Sequence, residues 1–209
     1  MPRLSQNLTR AVTVFLSTTI AFSTLAYLAV MPRPREQFFQ IYVLGETGRA
    51  ERYYPSNNPD IRVGEVVRWR VGVANFMGSI QYVAIRVKLG NSTIETPDEA
   101  NLVPSPAPVL LEFKKILMSD ETWEFALIWA IKEIVVSGNV IAPTILDING
   151  MNVRNGQVSA LAGHNFRLFF ELWTFDPQTK TFTFGWKTLK ESRIAWLQLW
   201  FNATSSAVR

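Results

Sequence analysis

The residues EVVRWRVGVAN, 65 to 75, decide how the rest of the chain is read. Val67, Trp69, Val71 and Val73 fall on one side and Arg68 and Arg70 on the other. A period of two with one apolar side belongs to a strand buried on one face. QYVAIRVKLG, 81 to 90, repeats the pattern, with Val83, Ile85 and Val87 inward and Arg86 and Lys88 outward. NFMGSI between them is short enough for a hairpin turn, so these two strands are expected to pair with each other.

Working outward, the same criteria give strands at Phe38 to Leu44, Phe166 to Phe175, Thr181 to Trp186 and Ile194 to Phe201. DPQTK, after Phe175, has proline where a type I turn favours it, which predicts a second hairpin. NLVPSPAPVL, 101 to 110, reads as an extended loop, and DINGMNVRNG, 147 to 156, holds two Asn-Gly pairs that each signal a tight turn. SDETWEFALIWAIKEIVVSG, 119 to 138, supports two readings. Ser119 and Asp120 as caps, Glu121 and Glu124 in a first turn and Gly138 as a stop would suit a helix. Alternation of Trp123, Phe125, Leu127, Trp129 and Ile131 suits a strand buried on both faces, and the β surroundings favour a strand from Trp123 to about Ile131. Short strands between turns, with no internal repeat, predict a mainly β fold: an immunoglobulin-like two-sheet β-sandwich.

Ahead of these strands the pattern is different. Residues 11–31, including VTVFLSTTIAFSTLAYLAV from Val12, carry no charge. At 1.5 Å per residue such a run matches a hydrocarbon layer of about 30 Å. Apolar on every side, and ended by Pro32 and Pro34, it has no polar face for water. The expected organisation is a short cytoplasmic segment at 1–10, a transmembrane helix at 11–31 that contacts the lipid bilayer, a proline-rich spacer at 32–37 and an extracytoplasmic domain at 38–209, with 132–165 as an insertion. Two alternatives stay open. The run could be a cleaved leader, with Thr24 and Ala26 as a weak cut signal, or a pilin-like helix processed near Ala11, on the basis of TRAVTVFL.

Length and composition exclude several classes. A chain of 209 residues accommodates one span and one ordinary domain. Without cysteine it has no disulfide, thiolate metal site or cysteine nucleophile. The net charge of +4 is concentrated in residues 1–36, where Arg3, Arg10, Arg33 and Arg35 face Glu36 alone, leaving +1 for the rest. The basic residues flank the apolar run and form no cluster for phosphates, so nucleic acid is not an expected partner. The flanking arginines slightly favour an N-terminus inside the cell.

The stretches FFQIYVLGETGRAERYYP and VGEVVRWRVGVANFMGSIQYVAIRV resemble an archaeal family catalogued as domain of unknown function 1616. The matching residues are Tyr42, Leu44, Gly45, Gly48, Ala50, Glu51, Tyr54, Pro55, Gly64, Glu65, Val71, Gly72, Val73 and Asn75. DETWE, FRLFFELWTFD and WLQLWFNAT look like the family's later strands, so the resemblance covers most of 38 to 205. It implies a membrane-tethered extracytoplasmic β-sandwich without an established activity. Residues 132–165 have no family counterpart, and some relatives carry several spans.

Candidate chemistry is sparse. His164, the only histidine, cannot build a nitrogen-rich metal site and reads as a loop residue. Glu95, Asp98 and Glu99 read as a solvated turn; Asp147, Asn149 and Asn152 resemble a calcium loop, but Val158 stands where its bidentate glutamate belongs. No catalytic residue, metal or cofactor is expected. In WLQLWF, Leu197, Leu199 and Phe201 form a core side, while Trp196, Gln198 and Trp200 form a second face, either a partner surface or, by preference, one covered by the insertion. Asn7, Asn91 and Asn202 begin sequons, of which Asn91 and Asn202 would lie outside the cell and so be open to glycosylation. The expected function is that of a binding or accessory subunit of a membrane or cell-envelope assembly. The alternatives are a filament or surface-layer subunit, and a carbohydrate-active domain.

Overall fold

The computed structural model describes residues 6–31, 35–188 and 191–204. The spacer prolines at 32 and 34, and residues 1–5 of the N-terminal segment, lie outside the described residues. The chain divides into two compact units, Met1–Arg35 and Glu36–Arg209.

In the first unit, helix α1 (Gln6–Val30) begins before the uncharged run does. Within it Leu8–Val30 is long and apolar enough to cross a membrane, and no part of that stretch is buried. Five of its hydroxyls are bonded within the helix. Thr13, Ser17, Thr18, Thr19 and Thr24 each donate to a backbone carbonyl one turn back, at 2.8–2.9 Å.

The second unit is built of strands: β1 (Phe39–Leu44), β2 (Asp60–Arg62), β3 (Val66–Asn75), β4 (Gln81–Asn91), β5 (Val109–Leu117), β6 (Thr122–Ser137), β7 (Val140–Ile148), β8 (Met151–Arg154), β9 (Ala160–Leu161), β10 (Phe166–Asp176), β11 (Thr181–Phe184), β12 (Trp186–Lys187), β13 (Ser192–Arg193) and β14 (Trp196–Thr204). One sheet runs β1-β3-β6-β7-β8, with β9 also on β7. The other runs β2-β14-β10-β4-β5, with β11 also on β10, and β12 pairs β13 separately. Every pairing is antiparallel except β14 with β2. The connections from β3 to β4, β5 to β6 and β9 to β10 each change sheets, as in Greek-key sandwiches.

The alternation read from 65–75 and 81–90 fills the space between the sheets. Val67, Trp69, Val71 and Val73 of β3, with Leu127, Trp129 and Ile131 of β6, meet Val83, Ile85, Val87 and Leu89 of β4 and Phe166, Leu168, Phe170 and Leu172 of β10. Trp69 stands edge-on to Trp129 at 5.3 Å and to Phe170 at 6.0 Å, and Trp129 packs on Phe201 at 4.9 Å. Such tilted contacts let large rings share a layer about 10 Å thick.

Five sequence expectations are corrected. β3 and β4 do not form a hairpin; they belong to different sheets. Fully buried Asn75 makes the corner, its amide donating to Ser79 O (2.9 Å), Leu117 O (3.2 Å) and Met118 O (2.9 Å) and its Oδ1 accepting from Met77 N–H (3.0 Å). One side chain of the first sheet thus binds the Leu117 carbonyl of the second together with backbone groups of the corner, which opens the turn into a crossover. Within 119–138 the strand is β6 itself, Thr122–Ser137, longer than Trp123 to Ile131, but not buried on both faces over its first half: Ile128 is 40% exposed. The residues that resembled helix caps make a turn, in which Asp120 has φ +62° and Glu121 accepts the Met118 N–H at 2.8 Å.

Of the two Asn-Gly pairs, Asn149-Gly150 turns β7 into β8 with both φ values positive. Asn155-Gly156 does not turn a hairpin; buried Asn155 donates to Pro143 O (2.7 Å) and Val158 O (2.9 Å). The strand expected over Thr181 to Trp186 breaks at Gly185 (φ +80°), after which β12 leaves β10 for β13. The 132–165 segment, finally, lengthens β6 and adds β7, β8 and β9 to the first sheet. It therefore does not lie over Trp196 and Trp200, and Trp200 is 39% exposed.

Candidate functional site

The outer face of the second sheet brings together residues that the sequence alone leaves apart. Cross-strand register puts Arg167 of β10 between Trp200 of β14 and Gly90 of β4, Phe169 between Gln198 and Lys88, and Glu171 between Trp196 and Arg86. Trp196, Gln198 and Trp200 thus do share one face, opposite the core side of Leu197, Leu199 and Phe201. Phe169 is fully buried although it points away from the sandwich core. Glycine at 90 makes room for it: a Cβ there would come within 2.7 Å of Phe169 Cε2.

The loop 92–108 closes over this face through charge. Lys88 Nζ lies 2.8 Å from Glu171 Oε2, both side chains are buried, and Nζ also donates to Ser105 O at 2.6 Å. Glu171 accepts from Ser105 N–H at 2.8 Å and from Trp173 Nε1 at 3.1 Å. Ser105 Oγ donates to Glu95 O at 2.7 Å, which fixes the loop to itself. Both members of the pair make further hydrogen bonds, the condition under which a buried ion pair is tolerated. Beside it Arg86 stacks 3.7 Å over Trp173 and pairs with Glu112 at 2.7 Å. Burial pushes the Glu112 carboxyl up, but Lys114 and Arg86 outweigh it and hold the group below its ordinary range.

Arg167 is different. It is only 5% exposed, and its guanidinium lies 4.5 Å from the Phe169 ring and 4.7 Å from that of Trp200. Nη1 donates to Gln198 Oε1 at 2.8 Å and Nη2 donates to Ile94 O. Nε is buried and has no partner. Burial pushes this guanidinium below its ordinary pKa. Ile94 also lines a cavity of about 530 Å³, together with Asn91, Thr93 and Pro108 on one side and residues 156–159 on the other.

The remaining candidates take structural places. His164 is exposed in the loop before β10. Asp98 accepts from Ala100 N–H, Asn101 N–H and the Asn101 amide, and its carboxyl is lowered chiefly by that last bond. Asp147 caps the Gly150 N–H, while Asn149 clamps β6 through Ile128 N–H and Ala126 O. Among the described residues no group of three His, Asp or Glu could hold a metal ion.

The sequon asparagines of the strand-built unit, Asn91 and Asn202, are both engaged. Asn91 Nδ2 donates to Ser159 O (2.8 Å) while its Oδ1 accepts from Thr93 and Ile94. Asn202 Nδ2 donates to Asp60 Oδ1 (2.6 Å) and its Oδ1 accepts from Asn165 N–H. A glycan takes one of the two Nδ2 hydrogens, so on either residue the donated bond would have to use the other while the bonds to Oδ1 stay in place. The sequence reading missed Arg167, Lys88 and Glu171. The signal for them is FRLFFELWTF, where Arg167, Phe169 and Glu171 share one face of an otherwise apolar strand and so need partners outside the core.

No protein-family model matches the chain, and no curated protein does. Among solved structures, a β-glucosidase from Listeria innocua in complex with gluconolactone aligns over 82% of this chain and 17% of its own, at TM-score 0.34 and 8% identity. Its isofagomine complex aligns over 85% and 18%, at TM-score 0.34 and 9% identity. The C-terminal domain of wzt aligns over 84% of this chain and 81% of its own, at TM-score 0.32 and 9% identity. The chain spans less than a fifth of the glucosidase's length. Likenesses this slight say nothing about chemistry.

Proposed function

We propose that this protein is a single-pass, membrane-anchored binding subunit of a membrane or cell-envelope assembly, working without catalysis and with its β-sandwich outside the cytoplasm. The observation that carries this is α1: from Ala11 to Val30 it has no charge, its apolar side chains are exposed, and five of its hydroxyls bond to its own backbone. Water is a poor solvent for such a helix and lipid a good one. The resemblance to domain of unknown function 1616 supports the same arrangement. The docking surface is the outer face around Trp200, where an exposed indole stands over a fixed arginine.

To test this, the chain is purified in mild detergent from membranes of its own cells, as wild type and as Trp200→Ala. The expected result is a stoichiometric partner that co-purifies with the wild type and is depleted with the variant. A lone monomer in both preparations contradicts the proposal.

A further inference from the structure

Three charged side chains are buried in the sandwich among the described residues, Lys88, Arg167 and Glu171, and two of them neutralise each other. Arg167 forms no ion pair with a described carboxylate; its acceptors, Gln198 and the Ile94 carbonyl, are neutral. A buried charge without a counter-charge is costly, and an orphaned buried donor such as its Nε is rare in folded proteins. Phe169 and Trp200 flank the guanidinium, so a counter-ion approaches in its plane, where the donors point. Ile94, which holds one edge of that plane, also borders the cavity.

We infer that Arg167 is the recognition residue of an oxyanion site whose ligand is an acidic saccharide, with Trp200 as the stacking platform for the sugar ring. A planar guanidinium matches a carboxylate through two parallel hydrogen bonds. The partly exposed indole beside it offers a flat apolar face of the kind that packs on the C–H face of a pyranose. Gln198 turns its carbonyl to Arg167, and the amide end of the same group is the donor that would meet a sugar hydroxyl. This deepens the proposed binding role of the outer face and rests on it, but it concerns a ligand that a membrane partner need not supply.

The test uses the full chain in neutral detergent micelles, labelled with [15N]arginine. The buried Arg167 Nε–H resonance is assigned by its loss in Arg167→Gln, and near-UV circular dichroism confirms that this variant is folded. Glucuronate, glucose, acetate and phosphate are titrated in turn. The expected result is a saturable shift with glucuronate at concentrations at least tenfold lower than acetate or phosphate requires, and none with glucose. Trp200→Ala should bring glucuronate down to the level of acetate. Arg167→Lys, which keeps the charge and loses the planar fork, should weaken glucuronate at least tenfold, read by isothermal titration calorimetry. Equal responses to glucuronate, acetate and phosphate would retain the oxyanion site and assign it to a free anion. If none of the three anions moves the Arg167 resonance, the inference is overturned, whatever the co-purification experiment gives.

Discussion

Replacing Glu171 by glutamine leaves the shape of the outer face almost unchanged and removes the charge that Lys88 was folded against. Lys88 is buried, and its remaining partner, the Ser105 carbonyl, is neutral. Breaking a buried pair from one side typically costs about 3–5 kcal/mol, because the survivor stays charged out of water. In a domain of this size each kcal/mol lowers Tm by about 2–4 °C, so the variant should melt roughly 6–20 °C below wild type. Near-UV circular dichroism of the full chain in neutral detergent measures this, since Trp173 and Trp196 border the altered carboxylate. The double variant Lys88→Met, Glu171→Leu removes both charges and should recover most of the loss. It still leaves the Ser105 N–H without its acceptor, at about 1–3 kcal/mol. Limited proteolysis should cut 92–108 faster in the single variant than in wild type. A Glu171→Gln protein that melts within about 2 °C of wild type would refute the reasoning that this pair organises the outer face.

Two further outcomes follow from the same geometry. Burial first, and then the 2.6 Å hydrogen bond to Glu124, push the Tyr42 hydroxyl up to about 12 from 10.0, and burial pushes Tyr54 in the same direction. Above pH 10 the unfolded chain releases these protons while the native one keeps them, so stability present below pH 10 is lost as pH rises towards 12; alkaline melts of wild type should show this slope and Tyr42→Phe should flatten it. Gly90→Ala should cost about 1–3 kcal/mol in a urea titration, because its methyl meets the buried Phe169 ring and sheet pairing leaves little room to yield; an unchanged midpoint would mean that the ring can move aside.

The sandwich was legible because its strands obey a simple rule: Val67, Trp69, Val71 and Val73 are inside and Arg68 and Arg70 outside. What alternation cannot carry is which strand pairs with which. The five-residue connection 76–80 between β3 and β4 is equally compatible with a hairpin and with a sheet-to-sheet corner, and the choice lies in the hydrogen bonds of Asn75 to residues 117 and 118, far along the chain. The residue set Trp196, Gln198 and Trp200 was legible for the same periodic reason. Its neighbours were not, because Arg167 and Lys88 look like solvent-facing charges until the 92–108 loop folds over them. Nor could it be read that residues 132–165 would extend the opposite sheet and leave Trp200 open, because alternation does not say which sheet a strand joins.

The central claim is that α1 stays in the finished protein and resides in lipid. Alkaline-carbonate fractionation of the source cells, followed by intact-mass measurement of the chain recovered, tests it most directly. The account predicts the full-length polypeptide in the membrane pellet. A chain that begins beyond Ala26 and remains in the soluble fraction would contradict it.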